Sequence, residues 1–217
     1  MSDTGHLGFS DHEKLAERRE AGESTMDRRA LRTRAALHQA LIQLILERDY
    51  DAISVGDITD AANVGRSTFY THFTDKDDLL RNGTGRLRSL LFEQHLSAGA
   101  GESHPALRTL GFSHFMTTHL KEQQPLYRAL MRGRAGPIIV GKLREFLSEL
   151  VRGELASIED AAGRPTPAPE VAVQFVVGAY MSILTWWLDR GAREPPEEIE
   201  RAFRELALGG LDTLLRR

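Results

Sequence analysis

Cysteine is missing from all 217 residues. That excludes disulfides, thiolate nucleophiles and every Cys-ligated zinc or iron–sulfur site. Lysine is scarce, with 4 against 24 arginines, and net positive charge is lacking: the formal balance is −3 and the pI about 6.3. A generally basic coat for nucleic acid is therefore excluded, and any such contact has to be local. The short catalytic signatures HExxH, GxSxG and GxxxxGK[ST] do not occur, nor does GxGxxG after a strand. His95, His104, His114 and His119 are not paired at i, i+4. No metal, no cofactor and no enzymatic constellation is expected.

Long apolar runs are rare. One stretch, 171–188, has 18 residues without a charge, the lower edge of a membrane span. It contains Gln174, Ser182 and Thr185, and Glu170 and Asp189 flank it where Lys or Arg anchors would stand. The expectation is a soluble helix covered on more than one side, by its own subunit and by a partner, rather than a membrane contact. The first residues, Met1-Ser2-Asp3-Thr4-Gly5-His6, lack the basic and apolar regions of a signal peptide, so a cytoplasmic protein is expected.

What is present is a globular balance, 41% hydrophobic and 27% charged, with helical periodicity nearly throughout. Residues 1–25 are polar and read as a mobile N-terminal arm. From 26 to 47, Leu37, Ala40, Leu41, Leu44 and Ile45 form one apolar stripe at spacings of three and four. Asp49-Tyr50-Asp51 breaks this helix. Ser54-Val55-Gly56-Asp57 then reads as a capping box for a short helix bearing Ile58, Ala61 and Ala62. Asn63 suits a left-handed turn. A second short helix spans 66–72, and Thr74-Asp75-Lys76-Asp77 reads as another capping box, opening a long helix through Leu79, Leu80, Leu87, Leu90 and Leu91. After a loop at 99–104, helices are expected over 105–121, 125–131, 138–160, 170–189 and 197–215, separated by Gly- and Pro-rich turns. The fold class is all-α: a helix-turn-helix domain at 26–80, with turn and recognition region 54–73, followed by a larger helical domain at 81–217.

Two very short helices joined by a tight turn form a helix-turn-helix pattern. The run from Ile58 to Leu80, with Thr68-Phe69-Tyr70-Thr71-His72-Phe73 and Lys76-Asp77-Asp78-Leu79-Leu80, resembles the DNA-binding signature of TetR-type transcriptional regulators. The resemblance is specific over about residues 28–80. It departs in having Asn63 at the turn and Gly65 at the cap, where the family more often has Gly and Ser. Both residues fit the required backbone.

Arg66, Ser67 and Thr68 occupy the first turn of the recognition helix, where side chains enter the major groove. Arg66 can pair with guanine, and Thr68 can offer a methyl to thymine or a hydroxyl to phosphate. Gly65 is a permissive helix start beside free N–H groups. The resemblance implies phosphate contacts for Tyr70, His72 and Lys76; Ser54 can touch phosphate through its hydroxyl, and Thr71 completes the candidate DNA-binding set. Phe69, Phe73, Ile58, Val64 and Leu79 read as core. Arg28, Arg29, Arg32 and Arg34 concentrate positive charge where a duplex would pass. Residues 27–90 carry net +1, against −3 before them and −1 after, which is a weak patch.

In the larger domain, Phe112, Phe115, Met116, His119, Tyr127, Met131, Phe175, Tyr180 and Trp186 are candidates for an apolar ligand pocket with polar handles. The resemblance implies a homodimer through the last two helices, double-stranded operator DNA as partner, and release by an unidentified small-molecule effector. The alternative is a helical ligand- or partner-binding dimer without sequence-specific DNA readout.

Overall fold

The computed structural model describes residues 9–85, 89, 110–162 and 168–215, with side chains from 27 onward up to 211 apart from 86–88, 90–109 and 159–167. Helix α1 runs over Phe9–Glu47. It begins well before residue 26, within the stretch read as an arm; residues 1–8 lie outside the described residues. The run Glu13 to Ala21 is made of Glu, Lys, Leu, Ala and Arg, strong helix formers that continue the helix without needing an apolar face. A 3₁₀ turn, Tyr50–Ala52, follows. Helices α2 (Val55–Ala61) and α3 (Arg66–His72) come next, then α4 over 76–85. The rest of the described chain is α5 (Phe112–Glu122), α6 (Gln124–Leu130), α7 (Ala135–Ala162), α8 (Pro169–Asp189) and α9 (Pro196–Leu215). No strand occurs among the described residues. The continuation of α4 through Leu87, Leu90 and Leu91, the loop 99–104, the helix start at 105–109 and the turn 163–167 lie outside them.

Two apolar cores form. The first joins Leu37, Leu41, Leu44 and Ile45 of α1 to Tyr50, Ile53, Ile58, Phe69, Phe73, Leu79 and Leu80. It does not stop at residue 80: Ala135 is part of it, and Leu126, Leu130, Ile138 and Ile139 pack against it. Helix α6 and the start of α7 therefore close the base of the helix-turn-helix unit. The second core lies among α5, α7, α8 and α9, centred on Tyr180, Trp187 and Phe203. Helix α8 has the length and apolarity of a membrane span, yet about half of its apolar window is buried against neighbouring helices.

Helix α4 is capped one residue later than its sequence suggests. Asp75 is the cap: Asp78 N–H donates to Asp75 Oδ1 at 2.6 Å, and Thr74 N–H donates to Asp78 Oδ2 at 3.0 Å. The shift frees Asp77, which accepts from the Tyr50 hydroxyl.

Candidate nucleic-acid interface and a cavity beside it

The turn between α2 and α3 is built locally. Ser54 caps α2, receiving the Asp57 N–H on its hydroxyl at 3.1 Å while its own N–H donates to Asp57 Oδ2 at 2.8 Å. This hydrogen bonding, with Arg48 3.0 Å away, lowers the Asp57 pKa to about 2. Asn63 adopts φ 53°, and Val64 N–H then donates to Thr59 O at 2.9 Å. Gly65 caps α3 in an extended conformation, without a side-chain hydrogen bond.

Phe69 and Phe73 anchor α3 from below; both are essentially buried, with ring centroids 5.8 Å apart. The opposite face stands outward. Arg66, Ser67, Tyr70 and Thr71 are exposed, and Thr68 and His72 are half-buried. The Tyr70 ring is 59% exposed and meets the edge of Phe69 at 5.3 Å. Beyond that contact, more than half of the ring is left facing water. Ser54 is exposed beside this face. The guanidinium of Arg66 lies over Gly56 of α2, where an added Cβ would sit 2.4 Å from Nη2. Gly56 is thus the seat on which Arg66 rests.

Lys76 departs from the expected phosphate contact. Its ammonium donates to Tyr50 O at 2.8 Å and Ile53 O at 2.6 Å, lies 3.4 Å from Asp51 O, and sits 4.5 Å above the Tyr50 ring. Its three donors are directed inward at the 3₁₀ turn, and desolvation lowers its pKa. Arg34 lies 5.4 Å over the Phe73 ring, and Arg28, Arg29, Arg32 and Arg34 are all exposed.

The nine pocket candidates separate. Phe112, Met116 and Tyr180 are fully buried core; the Tyr180 hydroxyl donates to Ser113 O at 2.9 Å and lies 3.0 Å from Thr117 Oγ1. Phe175 and Trp186 are 48% and 49% exposed on α8 and do not line the cavity described next. Met131 caps α6 against Gly136. His119 and Tyr127 do line a cavity, and Phe115 stacks on His119 at 5.7 Å and 10°.

That cavity measures 310 Å³. It lies at the seam of the two cores. His38, Leu41, Ile42 and Ile45 of α1 form one wall, Leu80, Gly83 and Thr84 of α4 another, and α5, α6 and Ile139 complete it. Sequence reasoning missed the α1 residues because it assigned the whole stripe to the helix-turn-helix core. The available signal was His38, a polar ring interrupting an apolar stripe. Its ring packs edge-on against Phe73 at 5.5 Å.

Comparison with known proteins agrees with this architecture. Residues 37–82 match the description "Bacterial regulatory proteins, tetR family", and residues 111–209 match "Transcriptional regulator C-terminal region". An uncharacterized HTH-type transcriptional regulator of Bacillus subtilis, YxbF, is 25% identical over 182 residues, 83% of this chain and 46% of the relative. The chain spans less than half the length of the curated relatives it matches. Among solved structures, Bacillus subtilis FadR in complex with stearoyl-CoA has TM-score 0.61 and 16% identity, covering 81% of this chain and 98% of that one. RolR in complex with resorcinol has TM-score 0.59 and 22% identity, with coverages of 84% and 88%. At such identities the likeness is one of fold.

Proposed function

Since the chain belongs to the tetR family of bacterial regulatory proteins, we propose that it is a cytoplasmic, dimeric transcription regulator that releases its operator when a small molecule binds. The observation that carries this reading is the outward face of α3, with Arg66, Ser67, Tyr70 and Thr71 exposed over a floor of Phe69 and Phe73. Arg66 and Thr68 read bases from the major groove, with Ser67 beside them. Tyr70, Thr71, His72 and Ser54 contact phosphates, and Gly65 lets the backbone come close. Lys76 supports the 3₁₀ turn instead.

Dimerisation uses the outer faces of α8 and α9. Val171, Phe175, Trp186 and Leu206 are 67%, 48%, 49% and 70% exposed in the single subunit. Gly178 and Gly209 have open space where a Cβ would stand, so a second helix pair can approach closely. A twofold dimer has to hold its recognition helices about 34–36 Å apart, or a multiple of that, to meet one face of a duplex. An effector acts by preferring a different separation. The ligand-bound states of FadR and RolR support the responsive part of this reading.

Selection of bound genomic fragments, followed by binding titrations over a salt series, tests it. The expected result is a near-palindromic site and an affinity that falls with salt. Arg66→Ala should cost about 1–3 kcal/mol at one base position and relax preference there. Tyr70→Ala should weaken all sequences alike. Failure to enrich any sequence would move the reading to a ligand-binding dimer without DNA readout.

A further inference from the structure

The seam cavity has a chemistry that narrows what can occupy it. Leu41, Ile42, Leu126 and Ile139 supply apolar walls, and His38 and His119 face it from α1 and α5. None of its lining residues is Asp, Glu, Lys or Arg. An ionised ligand seated there would find no counter-charge among these lining residues, which disfavours it. Burial lowers the pKa of both histidines, with Arg34 adding to the effect at His38. At neutral pH each ring therefore offers one donor and one acceptor nitrogen and no charge. Its 310 Å³ is close to the lower end of the roughly 300–1,000 Å³ usual for small-molecule sites. The flat rings of Tyr127, His38 and His119 favour a flat occupant.

We propose that this seam cavity is the effector site and that its effector is a small, uncharged ring compound bearing a hydroxyl or N–H group. The proposal rests on the ligand-responsive reading above and adds where the ligand sits and what charge it has. The position explains the coupling. His38 touches Phe73, the residue that ends α3, and it leaves no slack toward α4: a Cβ added at Gly83 would stand 3.0 Å from His38 Nδ1. An occupant that turns His38 has to displace Phe73 or α4. The recognition helix is then reached through one side chain of α1.

The test uses the full chain and matched probes: phenol, 1-naphthol and indole, uncharged at neutral pH, against benzoate, 1-naphthoate and indole-2-carboxylate. Binding is measured by calorimetry, and DNA release by fluorescence anisotropy on a selected fragment. At least one neutral probe should bind about tenfold or more tighter than its carboxylate partner and lower DNA affinity. Ile42→Trp fills the cavity from a half-exposed position, and Gln123→Trp narrows it from an exposed one. Each should abolish probe binding, and with it any probe-dependent change in DNA affinity, while the variant remains folded by circular dichroism. His38→Phe keeps the packing on Phe73 and should weaken probe binding through loss of both ring nitrogens. The proposal is overturned if no neutral probe binds, if the carboxylates bind equally well, if both tryptophan variants still bind, or if binding leaves DNA affinity unchanged. A chain that selects DNA yet takes no neutral probe removes the site and leaves the regulator reading intact. One that takes the probe but selects no DNA removes the regulator reading instead.

Discussion

Arg134 Nε lies 3.2 Å from Asp51 Oδ1, and its Nη2 lies 3.5 Å from Asp77 Oδ2. A residue of the turn between α6 and α7 thus clasps the 3₁₀ turn and α4 of the helix-turn-helix unit. The backbone takes part: Arg134 N–H donates to Asp51 Oδ2 at 3.3 Å. Gly133 permits this approach through φ +80°, with the site of a Cβ only 2.5 Å from Asp51 Oδ2.

The clasp predicts an ordering of two variants. Arg134 and Asp51 are both well exposed, so Arg134→Ala should cost no more than about 1 kcal/mol. Gly133→Ala forces a left-handed backbone on a residue with a Cβ, at about 1–2 kcal/mol, and also drives that Cβ into the Asp51 carboxylate. Urea denaturation of both variants should find Gly133→Ala the less stable. The opposite order would mean that charge, rather than backbone fit, holds the two units together.

Lys76 gives a second prediction. Removing its ammonium in Lys76→Met leaves the carbonyls of Tyr50 and Ile53 without their donor. Stability should drop by about 1–3 kcal/mol. A lysine bound to phosphate would behave differently, since its loss reduces the salt slope of DNA binding by about one. Binding titrations at several salt concentrations should give an unchanged slope for Lys76→Met.

These residues also mark how far the sequence could be read. Local chemistry was legible: the Ser54–Asp57 box, the left-handed Asn63 and the bounds of α3 depend only on near neighbours. What depended on distant partners was not. Lys76 looks available until the 3₁₀ turn is folded beneath it. Asp75 displaces Thr74 as cap because Asp77 is drawn to Tyr50 and Arg134. Phe175 and Trp186 are aromatic residues on an apolar helix, and periodicity alone cannot say whether such residues face a cavity or the outside. His38 and His119 are 81 positions apart, and only the packing of α6 against α1, with α5 joined to α6, makes them walls of one space.

Glu154 predicts a pH dependence. Its carboxylate is buried and accepts the Leu110 N–H at 2.8 Å. Burial raises its pKa from 4.5 to about 7, partly opposed by that hydrogen bond and by Arg204. Between about pH 4.5 and 7 the folded chain holds a proton that the unfolded chain has released. Stability therefore falls as pH rises through this window, and this group causes no further loss above it. Glu154→Gln keeps an acceptor for Leu110 and removes the titration. Thermal melts should place the variant above wild type at pH 8, with the gap closing toward pH 4.5. A gap of constant size across that range would mean that Glu154 does not titrate there.

The outer faces of α8 and α9 carry the last prediction. Leu206 is 70% exposed in the single subunit, so a charge at that position costs the isolated fold almost nothing. In a twofold dimer built on these faces the same change is counted twice, because each copy presents the patch to the other. Two carboxylates would then be desolvated without partners, at several kcal/mol each. Leu206→Glu should therefore remain folded by circular dichroism, sediment as a monomer and lose high-affinity DNA binding, since a lone recognition helix reaches only one half-site. Leu206→Met should remain dimeric and bind DNA normally. A Leu206→Glu chain that still sediments as a dimer would place the subunit contact elsewhere and leave the exposed apolar residues of α8 without that role.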